Sequence, residues 1–444
     1  MSFQTLPWLS LSIWCPIVFG SLVLLSRKKV RLARGLALLG ALLSFLVTLP
    51  LPTEFDAGAH GIQFAERGAW IARFHVDYFL GVDGLSLWFV VLTAFISCVV
   101  VVFAWRAEIP DIAAYLGAFL ILSGLMTGVF SALDGLLFFV FFEATLIPMF
   151  IIIGVWGGEK RIFAAFKFFL YPFFGSLFML VGIIYLYLQT GTFNILDWHT
   201  FPLDLPVQVA LFVGFILAFG IKLPMWPVHT WLPDAHVEAP TEGSVVLAAI
   251  MLKLGAFGFV RFILPIVPDA CRLLADYLIG LSLVAILYIG MVALVQKDLK
   301  KLVAYSSIVH MGFVTLGFFL FETVSVEGAL VQMVSHGIIS AALFLCIGIL
   351  YDRTHSRDMD SYGGLIHTMP RFAVLFILFA LGNCGLPGTS GFIGELLVII
   401  GAVQSNLWIG VLTASALLLG AAYSLWMVRR VVMGPAREGL TDLV

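Results

Sequence analysis

Apolar stretches long enough to cross a bilayer recur almost from one end of this chain to the other. A helix needs about 20 such residues to span a hydrocarbon core roughly 30 Å thick. Inside lipid every backbone N–H and C=O must be satisfied within the protein, which leaves only helices and closed barrels. A barrel would show segments of about ten residues with alternating polarity, and the runs here are continuous. The 444-residue chain therefore reads as an all-α polytopic membrane protein. Its composition agrees: it is 61% hydrophobic and only 11% charged, with a mean hydropathy of +1.09, where a soluble domain carries about 25% charged residues.

Thirteen spans are expected, at about 7–25, 34–50, 82–105, 112–131, 135–155, 162–189, 206–230, 241–265, 273–295, 301–321, 326–351, 371–402 and 406–430. The segment Met1 to Gly20 has no basic residues ahead of its apolar run and no small-residue cleavage site after it, so it reads as a retained first helix rather than a signal peptide. Basic residues collect in alternate loops: Arg27 to Arg34, Arg106, Lys160 and Arg161, then Lys297, Lys300 and Lys301, Arg353, Arg357 and Arg371, and finally Arg429, Arg430 and Arg437. The opposite loops hold only Arg67, Arg73 and Arg272, with acids such as Asp56, Glu66, Asp77, Asp197 and Asp204. By the positive-inside rule the N-terminus lies outside and the C-terminal tail is cytoplasmic.

Two spans are interrupted. Lys222-Leu223-Pro224-Met225-Trp226-Pro227 breaks the seventh and Gly385-Leu386-Pro387-Gly388 the twelfth. Proline removes a backbone donor and frees carbonyls that must find other partners. Breaks at matching places in two halves mark repeats and their ion sites in membrane transporters. Aligning Pro224 with Pro387 sets Glu143 opposite Ser306, one turn before His310, so that spans four to eight recur as nine to thirteen. Five helices per unit make the second copy inverted. The expected organisation is 1–110 as three N-terminal helices, 111–265 and 266–432 as two inverted five-helix repeats, and 433–444 as a tail.

Four ionisable residues stand deep in these spans: Glu143, Lys222, Lys253 and Glu395. A charge at the bilayer centre costs roughly 3 kcal/mol on insertion scales, so such residues persist where they pair or line an ion path. Lys222 stands against the first break, where freed carbonyls and water can reach an ammonium; snorkelling to an interface suits it poorly. Glu143 reads as its partner or as a protonated, carbonyl-bonded carboxyl. Lys253 is the next relay candidate, and Glu395, just after the second break, the exit candidate. Lys167 lies near the end of its span, where snorkelling competes with function. His310 and His336 lie inside spans and carry the one side chain that titrates near neutrality, although a hydrogen-bonded structural histidine would look the same. His229 and His236, with Asp234 and Glu238, sit at the mouth of the first break; proton collection or loop capping suits them better than metal binding.

Cys15, Cys98, Cys271, Cys346 and Cys384 are scattered and form no CxxC pair, so no zinc or iron–sulfur site is expected. There is no Gly-rich phosphate loop, no sizeable soluble domain and no sign of nucleic-acid binding. The chain is expected to hold no cofactor and no metal of its own.

The segments FFEATLIPMFIIIGVWGGEKRIFAAFKFFLY, KLPMWPVHTWLPDAHVEAPTEGSVVLAAIMLKLGAFGF, QKDLKKLVAYSSIVHMGF and GLPGTSGFIGE resemble the antiporter-like membrane subunits of respiratory complex I, NADH-quinone oxidoreductase, and among them the M type. The likeness runs from about Gly81 to Arg430. It implies two inverted repeats, a buried polar axis, and proton translocation driven by electron transfer elsewhere in a complex. It implies that Glu143 and Lys222 form a modulating ion pair, Lys253 a central relay and Glu395 an exit carboxylate. It further implies sibling antiporter-like chains as partners within a bacterial inner membrane, with NADH, flavin, iron–sulfur clusters and quinone bound by other subunits. Large subunits of sodium/proton antiporter complexes and of proton-pumping membrane hydrogenases share this ancestry and are the alternative. The chain departs from the pattern at Pro172, and the further helix the family places after the basic segment around Arg429 has no counterpart before Val444.

Overall fold

The computed structural model describes residues 6–59 and 61–435. Among these, twelve helices are long and apolar enough to cross a membrane: Trp8–Leu25, Val30–Glu54, Ser86–Phe103, Ile112–Ser131, Gly135–Trp156, Arg161–Thr190, Leu205–Lys222, Thr241–Ile266, Ala275–Leu294, Leu299–Phe319, Thr323–Thr354 and Leu407–Val431. The span expected at 371–402 is present as two shorter apolar helices, Pro370–Asn383 and Ser390–Ser405, because the Gly385-Leu386-Pro387-Gly388 stretch between them leaves the helical conformation. The helix expected to run to 230 ends at Lys222, where Pro224 and Pro227 withdraw two donors, and helix resumes over Trp231–Glu238. Helix Arg161–Thr190 continues through Pro172. The expected tail at 433–444 lies almost wholly outside the described residues.

The chain packs into two compact units. One holds the chain up to Lys222 together with Ile250–Cys271; the other holds Leu223–Ala249 together with the chain from Arg272 onward.

In the first unit, small residues let helices Trp8–Leu25 and Ile112–Ser131 approach closely. A Cβ added at Gly20 would stand 2.8 Å from the carbonyl oxygen of Gly117, the small-residue packing that membrane helices use in place of hydrophobic driving force. An antiparallel hairpin, β1 (Gln63–Ile71) and β2 (Val76–Val82), precedes helix Ser86–Phe103. It is tied down at both ends by carboxylates. Glu66 of β1 accepts the Leu9 and Ser10 N–H groups at 2.8 and 3.1 Å, filling orphan donors at the start of the first helix. Asp134 caps helix Gly135–Ala144 by accepting from the Leu136 and Leu137 N–H groups at 3.0 Å, and its other oxygen accepts from the Asp77 N–H of β2. Burial pushes the Asp134 carboxyl up to about 6 in spite of these bonds.

The Thr241–Ile266 helix is not uniformly α. Wider π turns occupy Leu247–Met251 and Phe259–Ile263, bracketing the α segment Leu252–Gly258. Such turns free backbone groups locally and recur at functional sites.

In the second unit, helices Thr323–Thr354 and Ser390–Ser405 pack closely: a Cβ at Gly328 would meet the Gly394 carbonyl oxygen at 2.9 Å. Asp298 caps Leu299–Phe319 through the Lys301 N–H, and Asn406 caps Leu407–Val431 through the Trp408 N–H.

Candidate functional site

Buried polar groups gather in each unit. In the first, Lys222 is the last residue of its helix and is 1% exposed. Its Nζ donates to Thr145 Oγ1 at 3.1 Å, approaches the Phe142 carbonyl oxygen at 3.4 Å, and lies 4.2 Å from the centre of the Phe142 ring. Phe142 and Thr145 flank Glu143, the acid that interacts electrostatically with Lys222. Glu143 also bonds with Ser176, while its buried Oε1 makes no hydrogen bond. The sequence signalled the two charges; it gave no sign that Thr145 or Ser176 would complete the site. Burying an ammonium without compensation would cost several kcal/mol, and here a hydroxyl, a ring face and a carboxylate share that task.

Lys253 is fully buried (0% exposed), in the α segment between the two π turns. Lys167 is half-buried, with its Nζ between the rings of Phe163 and Tyr171 at 5.8 and 5.9 Å, one turn to either side. A further ion pair joins Arg261 Nη2 to Asp83 Oδ2 at 2.8 Å, with Arg261 buried. Burial works against the Asp83 charge, yet the Arg261 guanidinium, the Ser86 N–H and the Ser86 hydroxyl hold its carboxyl below the usual range. The His199 ring Nε2 sits 2.9 Å from the Arg261 carbonyl oxygen, and burial lowers that imidazole.

The second unit contains a connected buried network. His310 Nδ1 lies 2.8 Å from Glu395 Oε1 and 3.1 Å from Gln332 Nε2. Gln332 Nε2 also donates to Glu395 Oε1 at 3.3 Å. On the other side of the ring, His310 Nε2 lies 3.2 Å from Asn383 Oδ1. Asn383 Nδ2 donates to Ser424 Oγ at 3.3 Å, and Ser306 Oγ approaches Asn383 Oδ1 at 3.5 Å. The His336 ring centre is 5.3 Å from that of His310. Five helices contribute, and the break before Ser390–Ser405 lets Glu395 face this cluster. Of its members, the sequence marked His310, His336 and Glu395, and brought Ser306 forward only through the repeat alignment. Gln332 and Asn383 were missed, although a Gln or Asn inside an apolar span is itself a signal.

His229 and His236 take other places. His229 is buried in the non-helical stretch after Lys222, and His236 lies in helix Trp231–Glu238, its ring stacked on Phe344 at 4.6 Å with its backbone carbonyl accepting from Ser244 Oγ. Nearby, Lys300 Nζ donates to the Ala239 carbonyl at 2.8 Å and Arg357 to that of Val237, so cations occupy the carbonyls at this helix end. Among the described residues no three His, Cys, Asp or Glu side chains gather as metal ligands would.

A family profile described as NADH:quinone oxidoreductase/Mrp antiporter, transmembrane, matches residues 132–420. NADH-quinone oxidoreductase subunit M of Rhodobacter capsulatus is 51% identical over 91% of this chain and 81% of its own length. NADH-ubiquinone oxidoreductase chain 4 of Arabidopsis thaliana is 47% identical over 95% of this chain and 86% of its own. Among solved structures, a chain of respiratory complex I from Thermus thermophilus with bound NADH superposes with a TM-score of 0.90 at 34% identity, covering 98% of this chain and 91% of that one.

Proposed function

The chain belongs to the NADH:quinone oxidoreductase/Mrp antiporter membrane family, and from that membership we propose that it works as the M-type, proton-translocating membrane-arm subunit of an NADH-quinone oxidoreductase. The observation that carries this reading is Lys222, an ammonium buried where a membrane helix breaks, with Glu143 as its electrostatic partner. Its relatives bear the NADH oxidoreductase name, which favours this role over a place in a sodium/proton antiporter or a membrane hydrogenase.

The N-terminus lies outside and the tail in the cytoplasm, in a bacterial inner membrane. Protons from the cytoplasm reach Lys222 or Lys253 through the broken stretch that carries His229 and His236. Glu143 nearby favours the charged form of Lys222; moving the carboxylate away makes the ammonium give up its proton. The proton then passes by way of Lys253 and His310, with His336 beside it, to Glu395 and leaves on the outer side. The chain is organised as two inverted five-helix repeats, 111–265 and 266–432, each with one broken helix. Moving one charge against 100 mV costs about 2.3 kcal/mol, so the stroke is driven by electron transfer from NADH to quinone in partner subunits. Those subunits hold the flavin, the clusters and the quinone site, and this chain performs no redox step itself. Sibling antiporter-like chains and the bilayer are its immediate neighbours.

The test is redox-driven proton uptake into inverted vesicles by the assembled complex carrying Lys222→Ala, with assembly checked on native gels. Loss of both pumping and coupled NADH oxidation in an assembled complex is expected. Normal pumping would show that Lys222 only holds structure, and the relay would fall.

A further inference from the structure

The hydrogen-bonding chemistry around His310 is more selective than a plain relay requires. An amide nitrogen can only donate and an amide oxygen can only accept. The Glu395 carboxylate, which only accepts, orients the Gln332 amide, and the N–H that Gln332 then aims at Nδ1 sets the hydrogen of the neutral ring on Nε2, toward an Asn383 oxygen; the Ser424 hydroxyl, able to donate or accept, suits that placement. Asn383 donates through Nδ2 to Ser424 Oγ, leaving Oδ1 toward His310 Nε2. Gln332 directs Nε2 at Glu395 Oε1 and at His310 Nδ1. Turning its amide over would set two oxygens against each other at the Glu395 carboxylate. Its Oε1 instead lies against Gly394, where an added Cβ would come within 2.6 Å of it.

With Oδ1 of Asn383 as acceptor, Nε2 of His310 keeps its hydrogen. Nδ1 then has two states. In the neutral ring it accepts from Gln332; in the imidazolium it donates to Glu395, 2.8 Å away. We propose that Gln332 and Asn383 are positioning residues that hold His310 in the Nε2–H tautomer, so that protons enter and leave the ring only at Nδ1, facing Glu395. The inference rests on the relay proposed above. In the transfer, the Nδ1–H bond of the imidazolium breaks and an O–H bond forms at Glu395 Oε1. The pair passes from one positive and one negative charge to two neutral groups, and the emptied Nδ1 lone pair takes the Gln332 N–H. Loss of the Glu395 proton to the outer side then restores the carboxylate.

Titratable groups reach His310 and Glu395 from neighbouring helices. Glu395 and His336 approach the ring directly. Cys384 and Tyr423 interact with Glu395 rather than with the ring. Asp234 and Tyr288 act on Tyr305, on the same helix as His310.

The discriminating experiment follows the pH profile of NADH-driven pumping by the assembled complex with Gln332→Met and with Asn383→Leu, both close in volume to the native side chains. Gln332→Met removes the N–H that the neutral ring accepts at Nδ1 and, with it, a donor to the Glu395 carboxylate. Asn383→Leu removes the acceptor of Nε2–H. Either change frees the neutral ring to carry its hydrogen on Nδ1, so the pH profile of pumping changes shape as well as height. Each variant is expected to lose about tenfold in pumping at neutral pH, and Asn383→Asp, which keeps an acceptor at that place, restores pumping relative to Asn383→Leu. A uniform loss at every pH or wild-type behaviour would overturn the proposal, as would failure of Asn383→Asp to exceed Asn383→Leu. His310→Ala separates this failure from failure of the relay. If that variant pumps normally the relay itself is wrong; if it is inactive while Gln332→Met behaves as wild type, only the positioning role is lost.

Discussion

Arg261 shows how a single side chain can be expensive and still be retained. Its guanidinium is buried in a wide helical turn, 2.8 Å from Asp83 and 5.1 Å from the centre of the Phe257 ring. Removing one partner of a fully buried pair costs about 3–5 kcal/mol, because the other charge is left uncompensated. The Asp83 side chain is 32% exposed, so water can compensate part of that loss and Arg261→Gln is expected to cost about 2 kcal/mol. The pH dependence follows from the direction of the Asp83 shift. A carboxyl held below its unfolded value contributes stability that is present above about pH 4 and lost as the pH falls through the folded value. Thermal denaturation of the purified complex should therefore show the Arg261→Gln penalty in full at pH 7 and a smaller one near pH 3. An equal penalty at both would mean that the guanidinium acts through packing on Phe257 alone.

At the scale of elements, Asp134 connects three things: the cap of helix Gly135–Ala144, strand β2 through the Asp77 N–H, and a buried position for its own charge. Loss of a cap costs about 1 kcal/mol, so Asp134→Ala should destabilise by at least that much. Asp134→Asn keeps an acceptor oxygen without the charge. Because the folded carboxyl titrates at about 6, above its ordinary value, the native state holds a proton that the unfolded chain has released between about pH 4 and 6. Wild-type stability thus falls as the pH rises through that window, and the Asn variant, compared by thermal melting, should gain on wild type up to about pH 6 and keep the advantage above it. The same scale separates what could be read from the sequence from what could not. Apolar runs set the helices, and the prolines at 224, 227 and 387 marked the breaks, since each effect is local in the chain. The ionisable Lys222, Lys253 and Glu395 proved buried because an apolar span leaves few places for a charge. Gln332 and Asn383 earn their roles only by meeting His310 from other helices, Asn383 from 73 residues away. The π turns bracketing Lys253 have no sequence signature comparable to a proline, and were not anticipated.

For the whole molecule the deciding quantity is where charge sits relative to the membrane. Helix Arg161–Thr190 exposes Phe163, Phe166, Leu170, Phe174, Val181 and Leu188 along one stripe, the surface a lipid-facing helix presents. Its first residues, with Lys160, belong to the basic loops, whereas the connection ahead of β1 carries Glu54 and Asp56. Cytoplasmic loops retain lysine and arginine because those residues resist translocation, so the 157–160 turn should face the cytoplasm and the 55–59 stretch the outside. Ala57 and Glu159 are both exposed. The native thiols make a quiet background: Cys271, Cys346 and Cys384 are buried, and Cys15 and Cys98 are half-buried within apolar helices. A membrane-impermeant maleimide should label Ala57→Cys in right-side-out vesicles and Glu159→Cys only in inverted ones. The reverse pattern would turn the chain over in the membrane. Glu395 would then lie on the path of proton entry rather than exit, and the direction assigned to the His310–Glu395 transfer would have to be reversed with it.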